Sequence, residues 1–332
     1  MDPLQEYSTA LSGIANAYRK SQTLFTAVEL DVFSLLTPAA PAEHVAEKTG
    51  CSLRGVRMLL DALVAMELLW KGEGRYGNTP MAEACLVEGA PAWQGDIIRH
   101  AAANWDAWGG LAECVRTGTC APPANERERS GPALRNFILG MDNIARFSAQ
   151  GVLGAVDLSG RRRMLDLAGG PATYSIAFLR EHPALRATLF DRPAVVEIAR
   201  EQVESAGLAD RFDYIAGDCL ADPLGGPYDL VFMSNIIHSF SADENRALVA
   251  RAFQSLEPGG LIIIKDFLTD DDRTGPPYSL TFALIMLVNT PAGGTYSVSE
   301  AAEWTGAAGF LPGRMIPLTA QSRLWVAEKP ED

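Results

Sequence analysis

Residues 164–174 read Met164-Leu165-Asp166-Leu167-Ala168-Gly169-Gly170-Pro171-Ala172-Thr173-Tyr174. An apolar run of strand length, a glycine turn and the start of an amphipathic segment follow one another there, which predicts strand, tight turn and helix. Such a turn lets a ligand approach the main chain and meet the N–H groups at the start of the helix. It is not the dinucleotide fingerprint G-x-G-x-x-G: Ala168 and Thr173 give poor support for a pyrophosphate pressed against the backbone. Nor is it a P-loop, since no Gly-Lys-Ser/Thr follows.

Downstream of Met164, short apolar runs alternate with amphipathic segments, the signature of βαβ units and a parallel sheet. Strands are expected at Met164–Leu167, Ala187–Phe190, Phe212–Ala216, Leu230–Ser234 and Leu261–Phe267, with a terminal hairpin of Arg314–Leu318 and Leu324–Glu328. The second strand ends in Phe190-Asp191, about 20 residues beyond the glycines, where an acid can accept hydrogen bonds from both ribose hydroxyls. The third leads to Gly217-Asp218-Cys219, whose carboxylate can take an adenine amino group. Each acid alone reads as a solvated loop residue. Asp166, Asp191 and Asp218 at the ends of three successive strands converge on the crevice where α/β sheets bind ligands, and they point to a nucleoside carrying little or no phosphate.

Upstream the pattern is helical, with long runs such as Ser21–Ser34 and Leu53–Leu69. Residues 41–52 close one short helix at Gly50 and open the next with Ser52 as N-cap, a helix-turn-helix. Residues 68–77, Leu68 to Gly77, read as two short strands around a glycine-rich turn, the wing of a winged helix. Residues 1–90 carry 7 basic against 11 acidic side chains, and the second helix offers only Arg54 and Arg57 against Asp61. Affinity for nucleic acid is largely phosphate electrostatics, so this unit is read as a packing or dimerisation module. A surface loop is expected over 118–133, and helix from Leu134 to Val156.

The chain has 332 residues, enough for two cores, and is 48% apolar and 21% charged, which is ordinary globular composition. Its formal charge of −13 disfavours nucleic acid and anionic membranes, and the only tight basic run is Arg161-Arg162-Arg163. No apolar stretch approaches the ~20 residues that span a bilayer. The first residues show no export signal, and the five cysteines and four histidines have no metal or disulfide spacing. A cytoplasmic chain with free thiols and no metal is expected.

With these motifs the chain resembles the class I methyltransferases that use S-adenosyl-L-methionine, specifically the small-molecule O-methyltransferases of caffeate, hydroxyindole and bacterial polyketide type. The resemblance covers nearly the whole chain. It implies a Rossmann-like seven-stranded α/β sheet over 161–332, a helical linker over 116–160 and a winged-helix dimerisation domain over 1–115. The family's D-x-G-G-G-x-G is here Asp166-Leu167-Ala168-Gly169-Gly170-Pro171-Ala172, with two of four glycines replaced by alanine. Each replacement adds one methyl, tolerable if the alanines keep negative φ. By resemblance, Asp166, Gly169, Gly170, Asp191, Asp218, Cys219 and Ser234 would hold the cofactor.

The run Asp229 to Ser241 matches the family segment that ends in a catalytic histidine, here His238. An imidazole, with an ordinary pKa of ~6.5, can take the proton of a hydroxyl as methyl transfer proceeds. Asp266 stands where the family has an acid that holds the histidine's other nitrogen; the plain alternative is a strand-end acid paired with Lys265. Plant members carry a second glutamate in G-G-x-E-R-T, whereas Gly293-Gly294-Thr295-Tyr296-Ser297-Val298 has no acid there. Phe137, Met141, Asn143, Met286 and Asn289 are expected to line the pocket of a small acceptor. The expected activity is O-methylation of an aromatic or polyketide-like molecule by a homodimer. An S- or C-methyltransferase, a cofactor-assisted decarboxylase or hydroxylase, and a winged-helix regulator are the rivals.

Overall fold

The computed structural model describes residues 3–120 and 129–331, and the chain divides into two units, Met1–Asn104 and Trp105–Asp332. The first unit is built from helices α1 (Pro3–Asn16), α2 (Tyr18–Glu29), α3 (Val32–Leu35), α4 (Ala42–Thr49) and α5 (Leu53–Ala65). Strands β1 (Leu69–Gly72) and β2 (Arg75–Asn78) and helices α6 (Pro80–Cys85) and α7 (Gly95–Ala103) complete it. Gly50 closes α4 with φ 68°, and the Ser52 side chain accepts the Gly55 N–H at the start of α5. β1 and β2 pair antiparallel from Leu69↔Asn78 to Gly72↔Arg75 around Glu73-Gly74, both at positive φ. Two long helical runs stop early. Asp31 (φ 52°) breaks the one over 21–34, and Glu67 (φ 61°) turns the chain between α5 and β1.

Two of the three charges on α5 are committed to neighbours within the unit: Arg57 pairs with Glu43, and Asp61 accepts from Lys71 Nζ at 2.6 Å and Tyr76 Oη at 2.8 Å. Helix α1 buries none of its residues, and Tyr7, Leu11 and Ile14 are 63%, 66% and 75% exposed on one face.

The second unit opens with α8 (Trp105–Gly109), α9 (Leu111–Thr117) and α10 (Gly131–Ala155). The expected loop over 118–133 falls partly on 121–128, outside the described residues. Then come β3 (Arg163–Leu167), α11 (Thr173–Glu181), β4 (Arg186–Asp191), α12 (Pro193–Ser205), β5 (Phe212–Ala216), β6 (Tyr228–Ser234), α13 (Ala242–Ser255) and β7 (Leu256–Asp266). Helices α14 (Pro277–Asn289) and α15 (Val298–Ala308) precede the terminal hairpin β8 (Arg314–Pro317) and β9 (Arg323–Glu328). The seven strands run β5-β4-β3-β6-β7-β9-β8, parallel from β5 to β7, with β9 antiparallel to β7 and to β8. Strand order reverses between β3 and β6, the switch point outside whose carboxyl ends α/β sheets bind their ligands.

Both sheet faces are covered, which explains why the strands read as continuous apolar runs. Leu165, Val231, Met233, Ile262 and Ile264 pack with Leu248, Ala252 and Trp304 on one side. Met164, Leu230, Phe232 and Ile263 pack with Val152, Phe178 and Val196 on the other. Strand β7 begins five residues earlier than its apolar run. Leu256 pairs with Tyr228 before the register shifts, although Pro258-Gly259-Gly260 reads as a turn in sequence.

Phe232 is fully buried, 5.1 Å from the Tyr174 and Phe178 ring centroids. Phe232→Ala removes the side chain on which two helix aromatics rest, so a loss of about 3–5 kcal/mol is expected from urea unfolding of the full chain. A loss below about 1 kcal/mol would contradict this packing.

Candidate active site

The glycine turn joins β3 to α11 with Ala168, Gly170 and Ala172 at φ 57°, 55° and 63°. The condition of negative φ at the two alanines is therefore not met, yet the turn is formed. The turn geometry requires left-handed backbone whatever the side chain, at roughly 1–2 kcal/mol for each non-glycine residue. Hydrogen bonds hold it: Ala168 N–H donates to Phe190 O at 2.8 Å, Gly170 N–H to Asp191 Oδ2 at 2.9 Å, and Ala172 N–H to Gly169 O at 3.0 Å. The Ala172 methyl is fully buried in the core. Gly169 is needed for space, since a Cβ there would lie 2.6 Å from Asp166 Cγ, whereas a Cβ at Gly170 would enter open space.

Asp166 is not a free strand-end acid. It lies beneath the turn, 2% exposed, and accepts the Ser175 hydroxyl. Burial pushes its pKa up to about 7; the Ser175 hydrogen bond opposes this and the Asp191 charge adds to it. Asp191 ends β4 and binds Gly170 N–H and Arg192 N–H. Burial raises its pKa although those bonds and the Arg192 charge pull it down. Asp218, beyond β5, is exposed and accepts Leu220 N–H at 2.9 Å, and Cys219 beside it is buried. Ser234 ends β6 next to β3, and its buried Oγ has no hydrogen-bond partner among the described residues.

Past β6 the chain enters a 3-10 turn, Ile237–Ser239, that carries His238. Its Nδ1 lies 2.7 Å from Asp266 Oδ1 at the end of β7, and both residues are buried. Lys265 turns instead to Asn235 Oδ1 at 2.9 Å, so the alternative Lys265–Asp266 pairing is absent. Burial works to raise the Asp266 pKa. The charge and hydrogen bond of His238, the Phe267 N–H and the Lys265 charge outweigh it and hold the carboxyl below its ordinary value. The imidazole is flanked by Phe282, edge-on at 4.9 Å, and Phe267, stacked at 6.0 Å, with Tyr278 5.1 Å from Phe267. Gly294 N–H donates to His238 O at 2.9 Å, and a Cβ on Gly293 would come within 2.3 Å of that oxygen. The diglycine loop thus abuts the histidine backbone and brings no acid to its ring.

The expected acceptor residues fall on two helices. Met286 and Asn289 are buried on α14, which packs against the His238 turn, and Asn289 Nδ2 donates back to Ile285 O. Phe137, Met141 and Asn143 lie on α10, which packs on α11 and α12, and Asn143 is buried. Sequence reasoning missed Phe267, Tyr278 and Phe282, although Tyr278, Phe282 and Met286 recur every four residues on one helix face. It also missed Asp142, which accepts Thr173 Oγ1 at 2.6 Å and ties α10 to the glycine turn. The signal was an acid within the buried stripe Leu134, Ile138, Asp142, Ala145, Ala149.

A glycine turn, strand-end acids and an imidazole–carboxylate pair along one edge of a sheet define an α/β enzyme that holds a small ligand at its switch point. Comparison with known proteins names the class. Residues 117–311 match the O-methyltransferase domain family, and 12–88 match the O-methyltransferase dimerisation domain. The chain is 34% identical over 320 residues to 3-hydroxy-5-methyl-1-naphthoate 3-O-methyltransferase of Streptomyces sahachiroi, covering 95% of this chain and 92% of the relative. It is 33% identical to the tetracenomycin polyketide synthesis 8-O-methyl transferase of Streptomyces glaucescens, over 95% and 94%. Human N-acetylserotonin methyltransferase in complex with S-adenosylmethionine superposes with a TM-score of 0.90 at 28% identity, over 98% of each chain. The chain belongs to the O-methyltransferase family and is an S-adenosylmethionine-dependent methyltransferase. Its crevice fits that cofactor. The main chain faces open space at Gly170, the buried Ser234 hydroxyl has no partner among the described residues, and the half-buried Asp191 carboxyl stands beside the turn.

Folded Asp166 keeps its proton to about pH 7, whereas an aspartate of the unfolded chain loses it near ~3.9. The folded state then binds more protons across that window, so stability falls as pH rises through it. Asp166→Asn removes this contribution. The urea midpoint of cofactor-free protein should drop less between pH 5 and pH 8 in the variant than in the wild type; equal drops would contradict the assignment.

Proposed function

We propose that the protein methylates a hydroxyl of a small, flat aromatic or polyketide-like acceptor, with His238 as general base. The observation that carries this reading is the 2.7 Å contact of His238 Nδ1 with the buried Asp266 carboxylate. An ionised Asp266 accepts from Nδ1–H, which leaves Nε2 as the unprotonated nitrogen of a neutral ring. Nε2 would take the proton of the acceptor hydroxyl as that oxygen becomes the nucleophile, and Asp266 would stabilise the resulting imidazolium; with the cofactor bound, the C–S bond to the methyl group would break and leave a neutral thioether. The cofactor supplies the methyl group, already activated on a sulfonium. Most of the protein's contribution is therefore alignment and exclusion of water.

The aromatic surround of His238 supports a flat acceptor. Phe267, Tyr278 and Phe282 would form its wall, continued by Met286 and Asn289, with Phe137, Met141 and Asn143 contributing from α10. On the cofactor side, Gly169 and Gly170 give main-chain access, Asp191 takes the ribose, Asp218 and Cys219 meet the base, and Ser234 binds near the methionine end. The names of the naphthoate and tetracenomycin relatives agree with an aromatic hydroxyl as acceptor.

A dimer formed through the N-terminal unit completes this reading. The exposed Tyr7, Leu11 and Ile14 face of α1 supplies an apolar seam in a chain that carries the dimerisation domain.

With a panel of hydroxylated naphthoates and related phenols, release of S-adenosylhomocysteine should identify a substrate, and His238→Gln should lower kcat on it by about 10²–10⁴-fold. Cofactor binding by calorimetry should stay unchanged. Wild-type kcat in His238→Gln would remove the general-base role. In size-exclusion chromatography with light scattering, the wild type should be a dimer, and Leu11→Lys/Ile14→Lys should shift it toward monomer. A variant that remains dimeric would exclude the α1 seam.

A further inference from the structure

Lys265 is 2% exposed, and its ammonium has no carboxylate within ion-pair distance among the described residues. Its hydrogen bond goes to a neutral amide, Asn235 Oδ1, at 2.9 Å, and its other neighbours are the ring faces of Phe267 and Tyr174, 5.3 and 5.9 Å from Nζ. Burying an ammonium against a neutral partner is expensive compared with an apolar side chain of equal length. The ammonium can do two things that a thioether cannot: it holds the Asn235 oxygen, and its charge helps keep the Asp266 pKa low.

Asn235 is the first residue after β6 and sits at φ 54°, in the left-handed region. Its N–H donates to Lys265 O at 2.8 Å, so Lys265 grips it through both main chain and side chain. Ser234 and Lys265 are paired in register, which places this grip at the last rung of the β6–β7 ladder. Three residues later comes His238. The far side of its turn is fixed independently, by Asn245 Nδ2 on Ile237 O at 2.8 Å and Gly294 N–H on His238 O. Asp266, next along β7, then meets the ring. One strand end therefore controls both the entry of the histidine turn and the orientation of the imidazole.

We infer that Lys265 is a positioning residue for His238: its buried ammonium clamps Asn235 in the left-handed conformation that aims the turn. The kinetic consequence rests on His238 being the base. The ring position does not, so the two can fail separately.

The test uses the full-length protein with ¹⁵N-labelled histidine, read by the His238 ring resonances and by kcat, KM and cofactor affinity. Lys265→Met should shift or broaden the His238 Nδ1–H resonance and lower kcat by about 10- to 100-fold, with little change in cofactor affinity. Asn235→Gly reaches positive φ without help, so Asn235→Gly/Lys265→Met should regain the wild-type resonance and most of the lost kcat. If Lys265→Met folds poorly, Lys265→Gln, which keeps a donor, should hold the resonance in place, and the double variant still carries the comparison. An unchanged resonance in Lys265→Met would overturn the inference. So would a double variant that melts normally yet stays as impaired as Lys265→Met. If His238→Gln keeps full activity, the general-base reading falls while the resonance still decides the clamp.

Discussion

Five parallel strands that end on one edge of the sheet are the constraint on which the site rests. Because β3, β4, β6 and β7 point the same way, residues far apart in sequence reach that edge together. These are the turn after Leu167, Asp191, Ser234 and the pair His238–Asp266. The reversal of order between β3 and β6 separates two tasks in space. The glycine turn, Asp191 and Asp218 follow β3, β4 and β5, and the His238–Asp266 pair follows β6 and ends β7. A transferase needs this adjacency, since donor and acceptor must meet at one point while each is held by its own surface.

Electrostatics differ between the two halves. Beneath the glycine turn, burial raises two carboxyls, Asp166 and Asp191, and Asp166 feels the charge of Asp191 as well. A cationic ligand arriving over such a site relieves part of that burden, and the chain's overall charge of −13 favours its approach. At the other half Asp266 is equally buried, but His238, the Phe267 N–H and the Lys265 charge hold its carboxyl below the ordinary value. That carboxylate lies 2.7 Å from His238 Nδ1.

Much of the fold was legible in residue pattern. Strand runs such as Leu230–Ser234 lie fully inside the observed strands because two covered faces make them uniformly apolar, and Gly50 and Ser52 marked helix ends by local chemistry. Local signals failed where tertiary pairing overrode them. Pro258-Gly259-Gly260 is strand because Leu256 finds Tyr228, and Ala168 and Ala172 are left-handed because the turn must close over Asp166. In the candidate site, Asp191 is legible as a strand-end acid, whereas His238 and Asp266 are singled out through the resemblance to the family. The Lys265–Asn235 grip, the Asp142–Thr173 tie and the Phe267–Phe282 surround could not be read from sequence, because each joins elements whose proximity is set by the sheet and the helix packing on it.

The central claim is that His238, oriented by Asp266, removes the acceptor's proton. The most direct measurement compares wild type and His238→Gln across substrates that share one ring skeleton but differ in hydroxyl acidity. The account predicts a large kcat deficit for hydroxyls that are protonated at the assay pH, shrinking toward none for those already ionised. A deficit of the same size across the whole series would contradict it and leave His238 as a residue that only shapes the pocket.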